Sequence, residues 1–229
     1  QDTGQALTLL LNHVWTGVID SDDTRAVLGV MLGAFLERAG LSATRAIEAR
    51  GAYPRDIECF TFDYGKARVL ALLREPNERD KRVTAKLSLP EEKHVYDALA
   101  GTRILRPKRV LARLRPGDPA VYAALPYEVA ELRVEGPGDL GPGQRLPVHV
   151  MVKAQDQLPG DHIVRIELAP LGGRPLAHYA QNLVCRGGEA TTFIPLALDE
   201  APGVYEVRAR DVMTGTTGKQ RVRVMPAGG

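Results

Sequence analysis

The stretch D-E-A-P-G-V-Y-E-V-R-A-R-D-V-M-T-G-T-T-G-K-Q-R-V-R-V-M, from Asp199 to Met225, admits few folds. Tyr205, Val207 and Ala209 alternate with Glu206, Arg208 and Arg210, and beyond the T-G-T-T-G turn Val222 and Val224 alternate with Arg221 and Arg223. A period of two puts each set on its own side of a strand, so the stretch is a hairpin with one apolar and one cationic face. A hairpin is not stable alone, and its apolar face needs a second sheet over it. The stretch therefore reads as the closing hairpin of an antiparallel sandwich.

Upstream, the same texture predicts strands over 129–135, 146–154, 162–169, 176–185 and 190–196, with the hairpin strands at 204–211 and 219–225. Gly136-Pro137-Gly138, Gly141-Pro142-Gly143, Gly172-Gly173 and Gly187-Gly188 punctuate them. About seven strands in about 100 residues is the size of an immunoglobulin-like sandwich, here 127–229. Asp199, Gly203 and Tyr205 resemble the aspartate, glycine and tyrosine that open the penultimate strand of such domains, with Val207 where antibodies carry a cysteine. The resemblance implies a structural role: the Tyr205 ring between the sheets and its hydroxyl on a backbone group near Asp199 to Ala201.

Residues 51–126 carry a second set of short strands, predicted at 58–62, 67–74, 82–88, 93–98, 109–114 and 120–125, with turns at Asp63-Tyr64-Gly65 and Pro116-Gly117-Asp118-Pro119. They suit a small antiparallel sandwich. Residues 1–50 differ. The apolar run A-L-T-L-L-L at 6–11 reads as a buried parallel strand. Ser21 to Thr24 can cap a helix whose buried face is Val27, Val30, Met31, Ala34 and Phe35 and whose end is Gly40. One strand and one helix make no complete layer, so this α/β segment reads as the tail of a larger domain. The expected fold is mostly β: two consecutive antiparallel β-sandwich modules, the second immunoglobulin-like, preceded by a short α/β segment.

Charge and composition narrow the partners. Thirty basic residues against 28 acidic ones leave a formal charge of +2, too little to argue for nucleic acid or an anionic membrane. Aromatic residues are 5% of the chain, which leaves few side chains for stacking on sugars or bases. No apolar run approaches the roughly 20 residues of a membrane-spanning helix. Cys59 and Cys185 fall in different predicted modules, so a disulfide between them is not expected.

No catalytic constellation emerges. The adjacent carboxylates Asp22-Asp23, Glu91-Glu92 and Asp199-Glu200 lie in turns or at a helix start, where solvation and capping explain them. His13, His94, His149, His162 and His178 lack metal-site spacing; His149 and His162 could face each other on neighbouring strands, but two histidines alone make a weak metal site. Neither cysteine has a nearby base, and no serine has a nucleophile-elbow setting. No cofactor and no metal are expected. Arg208, Arg210, Arg221 and Arg223 are the candidate binding residues: four guanidinium groups on one face fit an acidic partner or a sulfated or uronic polysaccharide, against the ordinary alternative of cross-strand ion pairs.

G-Q-A-L-T-L-L-L-N-H at 4–13, the helix ending at Gly40-Leu41 and the stretch F-D-Y-G-K-A-R-V-L-A-L-L-R-E-P together resemble the C-terminal part of bacterial family 42 β-galactosidase-like proteins. There an amidotransferase-like trimerisation domain and then a β-sandwich follow the catalytic barrel. The resemblance covers about residues 1 to 125, and 127–225 depart from it as an appended immunoglobulin-like module. The barrel carries the catalytic glutamates in such proteins, and this chain has no room for a barrel of about 250 residues, so no catalytic residue carries over. The resemblance implies a non-catalytic accessory and structural segment of a carbohydrate-active multidomain bacterial protein. Its partners would be other domains of the same parent, through which it could enter an oligomer. The alternative is an immunoglobulin-like module that binds a polysaccharide or a protein directly.

Overall fold

Strand β8 (Pro119–Leu125) shows how this molecule is built, because its alternate side chains enter two different cores. Tyr122 and Ala124 belong to one, Ala123 and Leu125 to the other. The computed structural model describes residues 57–75, 82–88, 94–105 and 110–226, together with the backbone of Ala46–Ala49. The strand and helix expected within 1–45 lie outside the described residues. The chain divides into two compact units, Gln1–Ala46 and Ile47–Gly229, and the second carries both sandwiches.

The first sandwich comprises β1 (Ala46–Ala49), β2 (Ile57–Tyr64), β3 (Ala67–Arg74), β4 (Val83–Ser88), β5 (His94–Asp97), β6 (Thr102–Ile104), β7 (Val110–Leu114) and β8. A five-stranded sheet, in the order β2-β3-β8-β5-β6, is accompanied by a three-stranded sheet, β1-β4-β7. Leu70 and Leu72 of β3, Val95 of β5, and Tyr122 and Ala124 of β8 share a core with Val83, Ala85 and Leu87 of β4 and Val110, Ala112 and Leu114 of β7. In β7 burial alternates residue by residue along V-L-A-R-L, as a strand with one covered face requires. The edge strand β6 was not expected. Three residues, T-R-I, are too few for a period of two to show.

The second sandwich comprises β9 (Val129–Glu135), β10 (Asp139–Leu140), β11 (Arg145–Ala154), β12 (His162–Pro170), β13 (Gln181–Cys185), β14 (Glu189–Pro195), β15 (Gly203–Asp211) and β16 (Thr217–Val224). Its sheets are β14-β11-β9 and β10-β16-β15-β12-β13. The seven longer strands give the immunoglobulin-like architecture. In a constant-type immunoglobulin domain the fourth strand joins the sheet of the first two, whereas β13 here pairs with β12. The short β10 runs parallel to β16, Leu140 opposite Val224. Leu146, Val148, Val150 and Val152 of β11 meet Val164, Ile166 and Leu168 of β12 and Tyr205, Val207 and Ala209 of β15 in the core.

One expected strand is corrected. The span 176–185 opens with a single 3-10 turn, Ala177–Tyr179, before β13 begins at Gln181. Pro175 cannot donate to a sheet ladder. The turn also carries the Tyr179 hydroxyl inward, where it accepts from the Ala197 N–H at 2.9 Å and donates to Glu200.

The two sandwiches meet in one continuous core. Ala67, Tyr96, Ala123 and Leu125 of the first pack in the same cluster as Tyr127, Val129 and the interior of the second. Beside it, the turn after β5 and the turn after β15 touch through glycines. A Cβ on Gly215, which sits at φ +77°, would stand 2.3 Å from the Gly101 Cα, so this approach is closed to any other residue.

Candidate functional site

The inward positions of β15 are Tyr205, Val207 and Ala209, which turns Glu206, Arg208 and Arg210 outward. In the antiparallel register Arg208 lies opposite Lys219, Glu206 opposite Arg221 and Val204 opposite Arg223. On the other side Arg210 lies opposite Arg165 and Arg208 opposite Glu167. The structure thus brings all four candidate arginines onto one sheet face. It adds Lys219, which shares the parity of Arg221 and Arg223 on β16, and Arg165 and Glu167, which sequence reasoning missed because strand adjacency between β12 and β15 is not written in either strand. The signal for their direction was present, since H-I-V-R-I-E-L-A alternates.

Most of these charges have partners. Arg208 Nε donates to Glu206 Oε1 at 2.7 Å, and Lys219 Nζ lies 3.7 Å from Glu206 Oε2. Arg165 Nε donates to Glu167 at 3.4 Å, and its Nη1 reaches the Asn182 side chain at 3.4 Å. Arg223 lies 4.0 Å from Asp139. Arg210 is different: its Nη2 donates to the Ala98 carbonyl of the first sandwich at 3.4 Å. The Arg208 hydrogen bond, with the nearby Lys219 and Arg221 charges, holds the Glu206 carboxyl below the usual carboxylate range. A depression of about 530 Å³ opens on this face, lined by Arg165, Glu167, Arg208, Arg210, Thr217 and Lys219.

Tyr205 is buried, and its hydroxyl faces two acceptors, the Ala201 carbonyl at 2.9 Å and Glu200 Oε1 at 2.8 Å. Burial, then the hydrogen bond to Glu200, pushes the phenol up to about 12. Gly203 opens β15 opposite Val224. Asp199 is exposed in the preceding loop. Its neighbour Glu200 is the inward member of the pair, taking hydrogen bonds from both Tyr179 and Tyr205. Sequence reasoning had no signal for this, because a loop carries no period.

His149 and His162 do not face each other. β11 and β12 lie in different sheets, and the connection between them crosses from one to the other. His149 Nε2 instead lies 2.7 Å from Glu189 Oε1 on β14. His162 has no solvent exposure, nor has Asp211. Tyr127 Oη accepts from the Gly160 N–H at 2.7 Å and lies within hydrogen-bond distance of His162 Nε2, at 3.0 Å. His162 Nδ1 lies 3.2 Å from Asp211 Oδ1 without meeting the geometry of a hydrogen bond. Asp211 also accepts the Thr214 hydroxyl at 2.5 Å. Nearby, the Tyr96 hydroxyl accepts the Val129 N–H at 3.2 Å, and burial raises the pKa of both Tyr96 and Tyr127.

Neither Cys59 nor Cys185 is in a disulfide, and burial pushes the Cys185 thiol up to about 11. The pairs Asp22-Asp23 and Glu91-Glu92, and His13, lie outside the described residues. Among the described residues, no group of three His, Cys, Asp or Glu side chains could hold a metal ion, and no helix is long and apolar enough to cross a membrane.

No protein-family model matches the chain, and no curated protein matches it. Solved structures similar to it include a superoxide reductase (neelaredoxin) from Ignicoccus hospitalis, at 14% identity over 43% of this chain and 81% of that one, TM-score 0.30. A CARDB domain from Pyrococcus furiosus, solved in complex with di-metal ions, is 15% identical over 42% of this chain and 86% of that one, TM-score 0.30. A glycosyl hydrolase family 2 member from Bacteroides cellulosilyticus is 9% identical over 69% of this chain, TM-score 0.28, and the chain spans 26% of its length. The likeness reaches a glycoside hydrolase without singling out family 42, and at these TM-scores it carries no functional argument.

Proposed function

We propose that this chain is a non-catalytic accessory and structural segment of a carbohydrate-active multidomain bacterial protein. The observation that carries the reading is the use made of the buried polar groups. Tyr127, His162, Asp211 and Thr214 link to one another and to backbone behind the junction of the sandwiches, while Tyr179, Glu200 and Tyr205 fasten the loop before β15. None of them lines the depression on the outer face of β15 and β16. An active site needs such groups to converge where a substrate can reach them. Here they are spent on bracing the second sandwich from within. The carbohydrate-active parent is supported by the resemblance of residues 1 to 125 to the family 42 C-terminal region.

The test is an assay of the full chain against chromogenic β-galactosides, β-glucosides and β-glucuronides, where no turnover above buffer is expected. Turnover that persists through rechromatography and disappears on substituting one carboxylate would overturn the reading. The carbohydrate-active parent is tested separately, by whether the upstream reading frame encodes a barrel of alternating strands and helices.

A further inference from the structure

We infer that the outer face of β12, β15 and β16 is a binding surface for an anionic polysaccharide, one carrying uronate carboxylates or sulfate esters. This goes beyond the supporting role proposed above and does not depend on it. A face made only of cross-strand ion pairs carries matched charges. This one presents six cations, Arg165, Arg208, Arg210, Lys219, Arg221 and Arg223, against the three carboxylates Glu167, Glu206 and Asp139. Glu206 serves both Arg208 and Lys219, while Arg210 is spent on a neutral carbonyl and keeps its full charge. Among the described residues no ion pair joins Arg210 or Arg221 to a carboxylate.

The arrangement is linear. Outward residues along a strand recur every ~6.8 Å, so the four rows from Arg210 and Thr217 to Val204 and Arg223 make a strip about 20 Å long. The depression lies toward its Arg210 end. Two of the guanidinium groups there are held ready: Arg208 engages Glu206 through Nε, which leaves its two terminal nitrogens for an incoming carboxylate or sulfate, and Arg165 engages Glu167 through Nε and Asn182 through Nη1, which leaves Nη2. Pre-positioning of this kind lowers the ordering cost of binding.

The lining also selects among anions. No aromatic side chain lines the depression, so a neutral sugar ring or an unstacked base finds no platform. It also lacks the large apolar anchor that sits at the centre of most protein interfaces. What remains is recognition by charge repeated along an extended chain.

The full chain, passed over immobilised heparin and over polygalacturonate at about 50 mM salt, is expected to be retained on at least one of them and released as salt rises. Heparin and polygalacturonate separate sulfate from carboxylate recognition. The triple variant Arg208→Gln, Lys219→Gln and Arg221→Gln should bind at least about tenfold more weakly. A control triple, Arg133→Gln, Arg145→Gln and Lys153→Gln on the other sheet, removes the same net charge and should change binding less than about twofold. The proposal is overturned by no retention of the parent, by equal losses in the two triples, or by tighter binding to duplex DNA or polyglutamate than to either glycan. Matching thermal transitions for both triples and the parent establish that folding is not the cause.

Discussion

Each sandwich contributes a five-stranded sheet, and the outer faces of the two sheets have opposite characters. In the first, Ala67, Ala123 and Leu125 are buried in the core shared with the second sandwich, and Phe60, Phe62 and Leu73 continue that side as exposed apolar residues. In the second, the outer face of β15 and β16 carries arginine, lysine and glutamate. Both sheets obey the same period of two. What differs is the neighbour: a face that will meet another sandwich is written in apolar residues, and a face that will meet water is written in charges. The first sheet's outer face is partly packed against the second sandwich, and the second sheet's outer face is left to solvent.

The largest expected effect breaks the packed side. Asp211→Ala takes away the buried acceptor of the Thr214 hydroxyl and the Met213 N–H and the carboxylate beside His162, and should destabilise the chain by about 3–5 kcal/mol in denaturant melts. Because the core runs through the junction, both sandwiches should lose structure in one transition. Two separated transitions in the parent would show that the shared core does not couple the sandwiches, and a loss under about 1 kcal/mol in the variant would show that the Asp211 bonds do not brace the second.

Gly215→Ala tests the same junction from its rim. The added methyl would meet Gly101 backbone atoms at 2.3 to 2.6 Å, and the φ of +77° disfavours alanine as well. A loss of about 1–3 kcal/mol is expected from overpacking. Gly172→Ala, at an equally positive φ but with open space around it, is the control and should lose less.

How much of this was legible follows from the same contrast. β9 was readable to the residue, and β15 and β16 nearly so, because each shows one apolar face, while β3 was readable as a short apolar run bounded by turns. β8 was recognised as a strand, but its run Y-A-A-L conceals that its two faces enter different cores. A strand covered on both sides loses the alternation that reports direction. β6 and β10 were too short to register. The four arginines were placed on one face by parity alone, yet Arg165, Glu167 and the Tyr127–His162–Asp211 hub depend on pairings between distant strands, which no local pattern encodes.

A middle-sized effect concerns Tyr205. Tyr205→Phe removes the hydrogen bonds to Ala201 and Glu200 and should cost about 1–3 kcal/mol near neutral pH. The folded phenol is raised to about 12 while an unfolded tyrosine titrates near 10. The folded state therefore holds this proton more tightly, and the contribution is complete below about pH 10 and lost as pH rises through about 12. The stability gap between parent and Tyr205→Phe should narrow across that window. A gap that stayed constant there would mean that the phenol is not raised.

The smallest effects belong to the solvent face of β15 and β16, and they separate its stability from its binding. Single glutamine substitutions at Lys219 or Arg221 should change stability by no more than about 0.5 kcal/mol, since exposed ion pairs contribute little. Glu206 is the informative exception, because it is covered and braces Arg208 and Lys219 at once. Its carboxyl is held below the usual range, so its contribution to stability is present above the ordinary carboxylate pKa and is lost as pH falls through the lowered value. Glu206→Gln should flatten the acid limb of the stability curve while raising, rather than lowering, affinity for heparin or polygalacturonate, because it removes a negative charge from the strip. Weakened glycan binding by a folded Glu206→Gln chain would show that positioning of Arg208 outweighs net charge at this face.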